Sequence, residues 1–132
     1  MILPSDIQVF GDTSFRGACP TETAEQVTFF ATVRRQWPGT VGLIAVHIKN
    51  EGKRRAGQAN WDKANGMTAG ACDVFIPGMP SCLIELKRRD HTQSKISEDQ
   101  LKYMRAAQAG GSFVCIALGY EAALAAVRQW VQ

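Results

Sequence analysis

Short apolar runs of strand length alternate along the chain with longer stretches whose apolar positions recur at helical spacing. Residues 1–20, rich in Gly, Pro and polar side chains, read as an irregular arm with a short strand at Ile7–Phe10. A helix is expected from Glu22 or Ala24 to Trp37. Thr21 and Thr23 are good caps, Thr23 with Gln26 makes a capping-box pattern, and Pro38-Gly39 stops it. Val41–Ile48 reads as a strand, and Arg54–Asn65 as a helix closed by Gly66. Ala71–Ile76 and Cys82–Lys87 form a predicted hairpin around the turn Pro77–Pro80. Ser97-Glu-Asp-Gln100 is a capping box opening a helix that Gly110-Gly111 ends. A strand at Ser112–Leu118 and an amphipathic helix at Glu121–Val131 complete the pattern. The order predicts an α/β fold, a mixed central β-sheet flanked by α-helices.

Composition narrows the class without naming a function. With 132 residues the chain is long enough for one domain that buries roughly two-thirds of its unfolded surface. Its 45% hydrophobic content is ordinary for a globular protein. No apolar stretch approaches the length of about 20 residues that spans a bilayer, and the first residues lack a basic region followed by an apolar core. A soluble, cytoplasmic protein is the expectation. Cys19, Cys72, Cys82 and Cys115 lack close paired spacing, and three lie in apolar strand-like segments, so reduced thiols are expected. No cysteine–histidine set indicates zinc, no Gly-rich phosphate loop ends in Lys-Ser/Thr, and no serine sits in a triad context. Nucleotide hydrolysis and a nucleotide cofactor are therefore not expected. His47 in an apolar strand and His91 in a polar loop read as structural or solvent-facing.

The hairpin carries the candidate chemistry. Asp73 lies twelve positions before Glu85, and Lys87 follows two later. Strand alternation sends Glu85 and Lys87 to one face and Ile84 and Leu86 to the other. If register brings Asp73 to the charged face, two carboxylates meet beside apolar residues, which is costly without a cation. The formal charge of +3 is mild, but Lys53-Arg54-Arg55 and Lys87-Arg88-Arg89 flank this acidic centre as two basic clusters suited to a phosphate backbone.

Taken together, several segments resemble a VRR-NUC domain of the PD-(D/E)XK nuclease superfamily. They are Glu22 and Gln26, Asn50-Glu-Gly-Lys-Arg54, Gly66 and Gly70 before Asp73, Leu83-Ile-Glu-Leu-Lys-Arg88, Ser97-Glu-Asp-Gln100, and Gly119-Tyr-Glu-Ala-Ala123. The similarity runs from about Glu22 to the end of the sequence, giving an arm at 1–20 and a single nuclease-like domain at 21–132. Ala71-Cys72 departs from the family pattern, which usually has a valine–proline step there.

The resemblance implies a restriction-endonuclease-like fold and a Mg²⁺- or Mn²⁺-dependent endodeoxyribonuclease. Asp73, Glu85, Glu22 and the backbone carbonyl of Leu86 would be the ligands, with Lys87 and Gln100 completing the catalytic set. Three carboxylates against one ammonium leave a negative surplus that one divalent ion neutralises. Asn50, Lys53, Arg54 and Arg88 would contact DNA. Stand-alone members of the family resemble symmetric homodimers suited to branched DNA such as four-way (Holliday) junctions. Flap or nick cleavage in repair and a catalytically inactive DNA-binding module are the alternatives, and no membrane partner is expected. On helix one, periodicity places Glu22, Gln26, Phe29, Phe30, Val33 and Trp37 inward, and Glu25, Thr28, Thr32, Arg35 and Gln36 outward. Glu22 is thus the expected ligand, in a first turn that suits a carboxylate. Glu25 reads as a surface charge and remains the alternative.

Overall fold

A computed structural model describes residues 1–49 and 57–132. Its elements are β1 (Gln8–Phe10), α1 (Glu22–Gln36), α2 (Val41–Ile44), β2 (Val46–His47), α3 (Gln58–Ala64), β3 (Val74–Ile76), β4 (Cys82–Lys87), a 3₁₀ turn (His91–Gln93), α4 (Glu98–Ala109), β5 (Phe113–Leu118) and α5 (Tyr120–Trp130). The five strands form one sheet in the order β1-β5-β4-β3-β2. β4 runs parallel to β5 and β5 to β1, whereas the β4–β3 and β3–β2 pairs are antiparallel. The sheet is therefore mixed. Among the described residues no helix is long and apolar enough to cross a membrane.

Two cores cover the two faces. Phe29, Val33, Ile84, Leu86, Cys115, Ala117, Ala123 and Val127 pack where α1 and α5 lie on the sheet. Ile7, Leu83, Met104, Val114 and Ile116 pack on the opposite side with α4. All six residues of β4 are buried, including the two charged ones, because this strand is central and covered on both faces. All four cysteines are free, and burial pushes the Cys82 thiol up to about 12.

Several elements depart from the pattern. The expected strand at Val41–Ile48 is mostly a helical turn, with only Val46 and His47 paired to β3. The reason lies at Gly42, whose amide donates to the Trp37 carbonyl at 2.8 Å. A Cβ there would stand 2.4 Å from the Val33 carbonyl oxygen, so the missing side chain lets this run fold back against α1. α1 is capped by Thr21, whose hydroxyl accepts from the Ala24 amide, rather than by a Thr23–Gln26 box. The start of the helix expected at Arg54–Asn65 lies outside the described residues, and α3 covers Gln58–Ala64. The arm contributes β1, an edge strand beside β5, and the predicted Ser97–Gln100 box is present at α4.

One glycine sets how the approach to β3 meets α4. Gly70 has φ +79°, and a Cβ on it would fall 2.3 Å from the Asp99 carbonyl carbon and 2.6 Å from the Gln100 amide. Gly70→Ala is expected to cost about 1–3 kcal/mol through backbone strain and overpacking. Chemical denaturation checks this, and a loss below about 0.5 kcal/mol would contradict the packing described.

Candidate active site at the end of the central strand

Register brings the hairpin carboxylates together. Val74 pairs with Ile84, so Asp73, one step before the strand, falls opposite Glu85. Asp73 Oδ2 accepts from the Leu86 amide at 2.9 Å. Asp73 is held through its main chain as well. Its carbonyl accepts from the Ile48 amide at 2.9 Å and from Nδ1 of His47 at 2.8 Å.

Glu85 is 1% exposed. Burial, and then the neighbouring Asp73 carboxylate, push its acid well above the usual range. Lys87 opposes this shift and Glu22 adds to it. Oε2 of Glu85 is buried without a hydrogen-bond partner. An orphaned carboxyl oxygen in such a place leaves a full desolvation cost uncompensated.

Lys87 is also almost completely buried, yet its ammonium is surrounded by oxygens. Nζ donates to the Lys95 carbonyl and, at 3.3 Å, to Oε1 of Gln100, and it stands 4.0 Å from Oε1 of Glu22. Gln100 reaches back from the first turn of α4, where the same oxygen accepts from the Ser97 amide. Glu22, at the start of α1, is part-exposed, and its Oε2 accepts from the Ser94 hydroxyl at 2.9 Å. Glu22, Asp73 and Leu86 line a cavity of about 200 Å³ together with Thr23, Gln26, His47 and Lys49.

The structure therefore brings Asp73, Glu85, Lys87, Glu22, Gln100 and Leu86 to one end of the central strand. Among the described residues, no three His, Cys, Asp or Glu side chains form a ready-made metal cluster. The donor set nevertheless fits a hard divalent ion. An orphaned Glu85 oxygen and two carboxylates placed opposite each other form a locus where positive charge relieves both conflicts.

Other expected residues are placed differently. Asn50, Lys53 and Arg54 lie outside the described residues. Arg88, expected at DNA, is half-buried, and its Nη2 donates to the Cys19 carbonyl at 2.8 Å. Glu25 is not a surface charge. It is 3% exposed, and its Oε2 accepts from the Tyr120 amide at the N-terminus of α5. Thr32 is buried too. A single inward stripe misassigns both, because α1 packs against α5 as well as the sheet and so buries a wider arc. His91 is buried, with Nε2 beside the Thr13 carbonyl, a structural position as expected. Sequence reasoning missed His47, Lys49 and Ser94 as neighbours of the site. For the first two the signal is their i, i+2 spacing, which gives two side chains on one side of an extended edge.

By sequence, no family model and no curated protein matches the chain. By structure, it matches a solved chain described as "VRR_NUC domain protein", with a TM-score of 0.70, over 89% of this chain and 91% of that one, at 20% identity. The fold is that of a VRR_NUC domain. The mixed five-stranded sheet with helices on both faces agrees with the expected restriction-endonuclease-like arrangement. At this identity the likeness speaks for the VRR_NUC fold, and what the site does rests on its own residues.

Two substitutions separate the carboxylates by their energetics. Glu25→Ala removes a helix cap and leaves the Tyr120 amide unmatched, so it should cost about 1–3 kcal/mol. Glu85→Gln should instead stabilise the ion-free protein at pH 7 by on the order of 1 kcal/mol, since it ends the carboxylate conflict. That gain should vanish as the pH falls below about 4.3, where an unfolded glutamate is protonated as well. Denaturation at pH 7 and pH 4 tests both, and a Glu85→Gln protein less stable than wild type at pH 7 would refute the conflict.

Proposed function

We propose that the protein is a metal-dependent endonuclease that hydrolyses phosphodiester bonds in branched DNA, four-way junctions foremost. The observation that carries this reading is the buried Asp73–Glu85 pair with Lys87 and Glu22 beside it. A pure phosphate-binding surface favours basic groups and has no use for clustered acids at the end of a core strand. The VRR_NUC fold and the quoted motifs support the same conclusion.

Asp73, Glu85 and Glu22, with the Leu86 carbonyl, would hold Mg²⁺ or Mn²⁺. A bound divalent ion supplies polarisation of a phosphoryl oxygen and acidification of a water molecule. The chain's own groups do the rest. Asp73 is locked in place by the Leu86 amide on its side chain and by β2 on its main chain, so the carboxylate is preorganised. Lys87, held by Gln100 and the Lys95 carbonyl, orients water or meets the charge that builds on the phosphate. Lys53, Arg54 and Asn50 grip neighbouring phosphates in this reading. A symmetric homodimer would present two such sites to paired strands, which one small domain cannot do alone.

The test is cleavage of labelled four-way junctions, flaps, nicked duplex and linear duplex with Mg²⁺, with Mn²⁺ and with chelator. Junction cutting is expected with either ion and not with chelator, and should fall by at least about a hundredfold in Lys87→Ala and in Asp73→Asn. Cutting confined to flaps or nicks would redirect the substrate. Binding of DNA by folded protein with no product under any ion would overturn the catalytic reading.

A further inference from the structure

Ser94 sits on the loop between β4 and α4, is 6% exposed, and belongs to no motif of the sequence. Its amide donates to the His91 carbonyl at 3.1 Å, and its hydroxyl oxygen accepts from the Arg88 amide at 3.1 Å. A serine hydroxyl has one proton to give, and here it goes to Oε2 of Glu22 at 2.9 Å. Arg88 immediately follows Lys87, so this single buried side chain indexes the start of α1 to the end of the strand that carries Glu85 and Lys87.

The loop that presents Ser94 is itself fixed. The Asp90 side chain accepts from the Thr92 hydroxyl at 2.6 Å, the Thr92 amide at 3.1 Å, the Gly17 amide at 3.0 Å and the Gln93 side chain at 3.0 Å. Glu22, by contrast, is part-exposed on a helix terminus, and without a partner its carboxylate would sample several rotamers. Outer groups that orient ligating carboxylates typically matter by about 10–100-fold in ion affinity or activity.

We propose that Ser94 is the positioning residue of the site: it holds the Glu22 carboxylate toward the strand-end centre and so completes the oxygen donors that Asp73 and Glu85 begin. This rests on the nuclease reading and adds a residue to it. Ser94 touches neither substrate nor ion and acts only through Glu22.

The experiment measures Mn²⁺ binding to the DNA-free protein, and kcat and KM on junction DNA, for wild type, Ser94→Ala, Glu22→Gln and the double variant. Ser94→Cys, which keeps the size with a weak S–H donor, stands in if the alanine variant does not fold. Ser94→Ala or Ser94→Cys should weaken Mn²⁺ binding about tenfold and lower kcat, leaving KM within about twofold of wild type. In the Glu22→Gln background the same change should add less than about twofold, the signature of one residue acting through another. An equal loss in both backgrounds, or no loss in either, would overturn the inference while leaving the nuclease reading in place. A wild-type protein that binds no Mn²⁺ and cuts no DNA would overturn that reading, and this one with it.

Discussion

Two carboxylates held opposite each other at the end of the sheet, Glu85 buried and Asp73 on the wall of a cavity, impose the constraint around which the rest of the structure is arranged. Asp73 and Glu85 sit opposite each other because the β3–β4 register puts them there, and that register is locked by the apolar alternation on either side. A one-residue slip would send Ile84 and Leu86 out of their core and relieve the acids, at the cost of several buried side chains. The hydrophobic pattern thus forces an electrostatically unfavourable meeting. A buried ammonium at Lys87 and the amide of Leu86 offset part of the cost.

Around this pair the fold builds a wall from segments distant in sequence. β2 pins the Asp73 main chain, α4 supplies Gln100, the β4–α4 loop supplies Lys95 and Ser94, and α1 supplies Glu22. Gly70 allows the strand approach and the α4 N-terminus to come close enough for these groups to meet. Most of the wall's hydrogen bonds end on backbone atoms, so its geometry is set by the fold more than by rotamer choice.

Much of this was legible in the residues, and what was not has identifiable causes. The hairpin, the α4 capping box and the amphipathic last helix are local features whose signals lie within a few residues, and each is present. Strand alternation puts Glu85 and Lys87 on one face, whereas Asp73 joins them only through the register of the hairpin. The strand read at 41–48 failed because a glycine's closeness to α1 outweighed the strand propensity of its neighbours. Glu25 was misplaced because periodicity cannot say how many neighbours a helix has, and α1 has both the sheet and α5. Ser94 had no local signal, since its meaning comes from partners at positions 22 and 88.

The opening twenty residues are tied to this centre at three levels. Asp6 pairs with Arg105 of α4, β1 closes one edge of the sheet, and Gly17 and Cys19 are gripped by Asp90 and Arg88 of the loop beside the site. What reads in sequence as a tail is therefore scaffolding. A shortened version beginning at α1 would strip the outer rail from β5 and loosen the very loop that braces the acidic centre. Anyone trimming this protein for crystals or fusion partners should keep the stretch from Asp6 onward intact.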